Sequence, residues 1–429
     1  MTLQHDHPVA IIGAGPVGLA AAAQLARKGL AFKVFEAGAS VAASVREWGH
    51  VRLFSPWRYN VDDAARALLE AEGWVMPDED VIPTGSELSA RYLEPLAKTP
   101  ALHPHIETSA RVTGITRSGI DKVVSAGRED APFVLHVEDE SGRTRRVFAR
   151  AVIDASGTWG RFNPLGAGGL PAEGEAENAD RICYRIPDIL GTDRNDFDGA
   201  RVLVVGAGHS AANAILDLLR LENTGPITWA IRAERPSRLY GGKRADGLPA
   251  RGALGDRLAQ AVEDGQVTLV TKFSITRVSR DTDRRLTVSS ADGRSLGPFD
   301  RIIATTGQRP DLALTRELRL DLDPWLESAR ALGPMIDPNL HSCGSVRPHG
   351  HRELSHPEPG FYTVGMKSYG RAPTFLMMTG YEQVRSITAA LTGDLAGADD
   401  VRLILPETGV CSTDRIDDAP ARSCCGKAA

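Results

Sequence analysis

Thiols are scarce in this chain, charge is close to balanced, and long apolar runs are missing. Only 5 cysteines occur in 429 residues. An odd count without a secretory leader argues against a disulfide framework and for a reducing, cytoplasmic setting. The opening "MTLQHDHPVAIIG" has neither the basic stretch nor the apolar stretch of a signal peptide. A formal charge of -5 and a pI near 6.2 give no footprint for nucleic acid or for an anionic membrane. No segment approaches the length of a membrane-spanning helix, because Gln24, Arg27 and Lys28 interrupt the alanine-rich "GLAAAAQLA" region. What remains is an ordinary globular composition, 42% hydrophobic and 24% charged, with room for two or three domains.

What is present is a repeated programme. "VAII" reads as a strand, "GAGPVG" follows at once, "LAAAAQLARKG" reads as a helix, and "AFKVF" is a second strand ending on Glu36. An irregular stretch, "REWGHVRLFSPWRYN", comes next. "TGSE" is a capping box, Thr84 to Glu87, opening a helix. Alternating runs from Ala110 to Arg150 predict a β-meander, closed by the strand in "AVIDASGTWG". Then the order recurs: "ARVLVV", "GAGHSA", the helix "ANAILDLLR", the strand "ITWAIR", a second meander, and "FDRIIATTG". The expected fold is α/β, with two Rossmann-like dinucleotide-binding domains, each carrying a β-meander. The expected boundaries are 1–160 and 301–406 for the first domain in two parts, 161–300 for the inserted second domain, and 407–429 for a cysteine-containing tail.

The spacing of the glycines carries the chemistry. Gly13, Gly15 and Gly18, with Ala14 and Pro16 between them, form G-x-G-x-x-G directly after a strand. The first glycine permits the turn, the second lets backbone approach a diphosphate, and the third lets helix and strand pack closely. Glu36 is placed to accept hydrogen bonds from a ribose diol. The second copy has Gly206, Gly208, His209, Ser210 and Ala211, a G-x-G-x-x-A variant. Its second strand ends near Arg232, where an arginine neutralises a 2'-phosphate; that favours NADPH over NADH.

Two glycine fingerprints, "DASGT" at 154–158, "ATTGQRP" at 304–310 and "GFYTVG" before a last helix resemble the FAD- and NADPH-dependent flavin monooxygenases. The resemblance implies FAD at the first site and NADPH at the second. It also implies roles at the flavin for Val112, Gly157, Gly365 and Met366. There are departures. Met366 stands where such proteins often carry an aspartate. The usual monooxygenase fingerprint is reduced, in "GEAENADRICY", to Tyr184, with Asp180 at the histidine position. The flavin-proximal asparagine has no counterpart other than Phe54 or Ser55.

No C-x-x-C or C-x-x-x-x-C pair exists to take electrons from a flavin. Reduced flavin would then meet dioxygen and pass one oxygen atom to a soft nucleophile. Cys411, Cys424 and Cys425 form a second clue, since thiolates grip soft ions such as trivalent arsenic. A cysteine-bearing tail on such a flavoprotein is similar to the flavoprotein monooxygenases of bacterial arsenic-resistance operons. The implied reaction is oxidation of arsenite or methylarsenite to the pentavalent form, in a monomer or homodimer. Two other functions stay open: a reductase passing electrons to the Cys424–Cys425 pair, and a non-catalytic metalloid-binding flavoprotein. The cluster His341, Cys343, His349, His351 and His356 is expected to be a solvated loop near the substrate entrance.

Overall fold

The computed structural model describes residues 7–236, 249–341, 346–373 and 375–403. Cys343, Cys411, Cys424 and Cys425, with the soft-ligand role expected of the last three, lie outside them.

The first unit is built on a parallel sheet of β1 (Val9–Ile12), β2 (Phe32–Phe35), β3 (Ile106–Glu107), β7 (Ala151–Asp154) and β16 (Phe361–Thr363), in the order β16-β7-β1-β2-β3. Between β3 and β7 runs an antiparallel meander of β4 (Arg111–Arg117), β5 (Phe133–Glu138) and β6 (Thr144–Ala149). The strands alternate, and each face is buried by a different layer. Val9, Ile11, Val34 and Ile153 pack on helices α1 (Pro16–Arg27), α2 (Asp63–Ala71) and α5 (Met377–Leu391). Ala10, Ile12, Phe35 and Val152 pack on Ile115, Phe133, Leu135 and Val137 of the meander. Burial on both faces is why these strands read as continuous apolar runs.

The second unit repeats this between β7 and β16. Its sheet holds β8 (Ile182–Cys183), β9 (Val202–Val205), β10 (Ile227–Ala230), β11 (Val267–Val270) and β15 (Arg301–Ala304), in the order β11-β10-β9-β15-β8. Its meander is β12 (Ile275–Arg280), β13 (Leu286–Ser290) and β14 (Ser295–Phe299). Val202, Val204 and Trp229 face helices α3 (His209–Leu218) and α4 (Pro249–Glu263), whereas Leu203, Val205 and Ala230 face the meander. Because β15 pairs with β9 and β8, this unit extends past residue 300.

The capping box forms as expected: the Thr84 N–H donates to Glu87 and the Glu87 N–H to Thr84 Oγ1. The histidine cluster does not follow expectation. His349 is 2% exposed and His356 is 9% exposed, so the segment returns into the core instead of standing in solvent. His351 pairs with Asp399 at 2.9 Å.

Candidate cofactor and active site

The first glycine turn lies at the carboxyl end of β1. Gly13 has φ +96°, and a side chain there would come within 2.8 Å of the Ala155 carbonyl. At Gly18 it would come within 2.0 Å of the Gly13 carbonyl, whereas nothing lies within 4 Å of the corresponding position on Gly15. The turn is therefore closed on the protein side and open on the side a diphosphate would approach. Pro16 starts α1, and no side chain caps the helix, which leaves first-turn N–H groups for an anion.

Glu36 holds this turn from beneath. Its Oε2 accepts from the Ala14 N–H at 2.7 Å and its Oε1 from the Gly38 N–H at 2.7 Å. A carboxylate has about four acceptor positions, so a ribose diol still finds capacity there. The Ala110 N–H donates to the Glu36 carbonyl at 2.8 Å, which stitches the start of β4, and so Val112, to the same end of the sheet.

Gly157, at φ +69°, and Gly365, at φ +68°, follow the ends of β7 and β16. The Gly365 turn is anchored by a buried polar chain. Its N–H donates to Gln383 Oε1 at 2.9 Å; Gln383 Nε2 donates to Ser368 Oγ at 2.9 Å and lies 3.0 Å from His349 Nε2. Since His349 Nδ1 faces the Arg347 carbonyl at 3.0 Å, Nδ1 carries the proton and Nε2 accepts. Burial lowers the pKa of this imidazole. Met366 is half-buried in the same turn. Beside it Lys367 Nζ reaches Asp154 Oδ2 at 2.7 Å.

Sequence reasoning missed Lys367 and Gln383 and placed His349 in a solvated loop, because each is defined by a partner far along the chain. It also sought an asparagine at Phe54 or Ser55. The fully buried one is Asn60, whose Nδ2 donates to the Ser55 and Pro56 carbonyls. Two residues on, the buried Asp62 caps α2 through the Ala64 and Ala65 N–H groups and accepts from Gln24 of α1; desolvation raises its pKa to about 6.

The second turn keeps the plan with different supports. Gly206 has φ +132°, with the Thr305 carbonyl 2.3 Å from the site of an added side chain, and Gly208 is open. The α3 N-terminus, His209 with Ser210, has no side-chain cap, and Ala211 is buried where the first copy requires glycine. Phe54 of the first unit reaches across to His209, ring centroids 5.1 Å apart. Arg232 is exposed and donates to the Ala167 carbonyl at 2.8 Å, leaving other guanidinium N–H groups for a phosphate.

A groove of about 390 Å³ runs along β8 and is lined by Glu47, Phe162, Cys183, Tyr184, Arg185 and Arg301 among others. Tyr184 donates to Glu175 at 2.5 Å, so the one residue kept from the monooxygenase fingerprint supports the local fold. Burial pushes the Cys183 thiol up, which disfavours the thiolate. Among the described residues no cluster of three metal-ligating side chains exists, and no helix is long and apolar enough to cross a membrane.

The fold is shared with solved flavoproteins of several activities. A bacillithiol disulfide reductase from Bacillus cereus superposes with TM-score 0.67 at 17% identity, covering 90% of this chain and 99% of its own. A desferrioxamine-pathway cadaverine monooxygenase from Erwinia amylovora gives 0.60 at 13%, covering 97% and 99%. A flavin-containing monooxygenase from Stenotrophomonas maltophilia gives 0.55 at 22%, covering 90% and 99%. No curated protein matches by sequence. The family model for pyridine nucleotide-disulphide oxidoreductases matches residues 7–346. With its two glycine turns, each open to a diphosphate, the chain belongs to this family of FAD- and NAD(P)H-dependent flavoproteins.

Proposed function

We propose that the protein is an NADPH-dependent FAD monooxygenase that oxidises a soft nucleophile, a trivalent arsenical such as arsenite or methylarsenite. The observation that carries the oxygenase reading is the lack of a cysteine pair in either reductase spacing anywhere in the sequence. The sole described cysteine, Cys183, sits on the outer strand of the second sheet, where burial raises the pKa of its thiol.

When held by the first unit, FAD would supply two-electron transfer between NADPH and dioxygen. One oxygen atom goes to arsenic, which loses two electrons, and the other leaves as water. In this reading the first turn and Glu36 bind FAD, with Val112 and Gly157 beside it. The Gly365 turn with Met366 lines the flavin end. Gly206, Gly208, His209, Ser210 and Ala211 receive the NADPH diphosphate, and Arg232 its 2'-phosphate. Cys411, Cys424 and Cys425 would present the arsenical.

The test is NADPH-dependent oxygen uptake with and without each arsenical, using labelled dioxygen. Substrate-stimulated uptake and label in the pentavalent product are expected. If no arsenical changes turnover or gains label, the substrate assignment fails.

A second reading, reduction through Cys424–Cys425, is favoured by that adjacent pair alone. It predicts anaerobic NADPH oxidation with a disulfide acceptor, abolished by Cys424→Ser.

A further inference from the structure

A fully buried ammonium stands beside the first glycine turn. Lys367 and Asp154 have side-chain exposures of 1% and 0%. Lys367 Nζ donates to Asp154 Oδ2 at 2.7 Å and to Ser156 Oγ at 3.0 Å. Asp154 Oδ1 in turn accepts from the Ser156 N–H at 3.1 Å and from Ser156 Oγ at 2.6 Å. An ammonium has three donors, and two of them have acceptors here.

Position gives this arrangement its meaning. Asp154 ends β7 in register with Ile12, the residue before Gly13. A side chain on Gly13 would meet Ser156 Cα at 3.1 Å, so the anchors of the ammonium form the wall of the turn. Lys367 comes over the end of β16, the other neighbour of β7. Chain connections leave β1 and β7 in opposite directions, and the crevice at such a point is where this class of sheet binds ligands.

Stability does not account for the pair. A buried ion pair gains little over an apolar pair of the same volume. An anion placed on the uncapped turn would, in contrast, gain from a fixed cation beside it.

The geometry points to Lys367 as a residue that favours FAD in the first unit: its ammonium, held by Asp154 and Ser156 behind the wall of the turn, acts on the FAD diphosphate through its field. The inference rests on FAD in the first unit and is independent of the substrate. Asp154 and Ser156 are positioning residues.

Lys367→Met alone would strand a buried carboxylate, so a folding loss could mimic a binding loss. The informative variant is Lys367→Met/Asp154→Asn, which removes both charges. Thermal midpoint and FAD release, followed by flavin fluorescence, are measured on the full-length holoproteins. The double variant is expected to melt close to the wild type yet to release FAD roughly tenfold to a hundredfold faster. Asp154→Asn, which keeps the ammonium, is expected to release FAD only a few-fold faster.

Wild-type release from the double variant overturns the proposal, even if the flavin potential moves. So does an Asp154→Asn variant that releases FAD as fast as Lys367→Met, because the pair would then be only structural. A wild-type protein that binds no FAD would instead sink the cofactor assignment.

Discussion

The two glycine turns share one plan and differ in what holds them. The first is braced by charge: Glu36 takes two backbone N–H groups, and the adjoining wall of Ala155 and Ser156 is tied through Ser156 Oγ to the Lys367–Asp154 pair. The second is braced by packing and neutral contacts. Trp229 Nε1 donates to the Gly206 carbonyl at 2.7 Å, Thr305 Oγ1 to the Val205 carbonyl at 2.9 Å, and Phe54 leans on His209 from the other unit. A polar, preorganised cradle suits a resident cofactor. A turn whose neighbour belongs to another unit suits a nucleotide that must come and go.

The sharpest break of this comparison is at the third glycine. Gly18→Ala drives a methyl into the Gly13 carbonyl and is expected to abolish FAD binding and most soluble protein. The reciprocal Ala211→Gly should cost only about 1 kcal/mol of stability, the ordinary penalty for glycine in a helix. Flavin absorbance of the purified variants and thermal melts check both.

Next in size, Glu36→Ala leaves the Ala14 and Gly38 N–H groups without their acceptor. A loss of about 2 kcal/mol and at least roughly tenfold weaker FAD binding are expected. Melting and FAD titration measure these. No residue of the second turn should show an equivalent loss.

A pH titration sharpens the same contrast. Burial holds the imidazole of His349 below its ordinary value of 6.5, and His356 behaves alike. On acidification the unfolded chain takes up these protons first. The stability they contribute is therefore complete above pH 6.5 and drains away as pH falls through the depressed values. Protonated His349 would also point an N–H at the Gln383 amide that fixes the Gly365 turn. FAD release should rise below pH 6.5, and His349→Gln should flatten that rise; equal slopes in the two proteins would remove His349 from the account.

The smallest effect is expected at Arg232. Arg232→Ala should raise KM for NADPH roughly tenfold while leaving KM for NADH and the FAD content unchanged, in steady-state assays with both nucleotides.

How much of this was legible before folding depends on sequence distance. Gly13, Gly15, Gly18, Glu36 and the Thr84–Glu87 box were readable because a turn or cap is a local geometry with few residue solutions. The alternating strands were readable because burial on two faces demands apolar residues at successive positions. The histidine cluster was misread. Pro348 and Gly350 suggested a solvated loop, yet Gln383 supplies the partner for His349 from 34 residues away. Lys367 was passed over entirely, since Asp154 lies 213 residues before it.

The same division separates what the sequence by itself determined from what folding decided. Backbone sterics and periodicity, which act over a few residues, determined the doubled dinucleotide plan and the two turns. Only tertiary structure decided which charges would be buried together. An ammonium at Lys367 is intelligible only once β7 and β16 lie side by side, because exclusion of water creates both its need for Asp154 and its strength toward an anion.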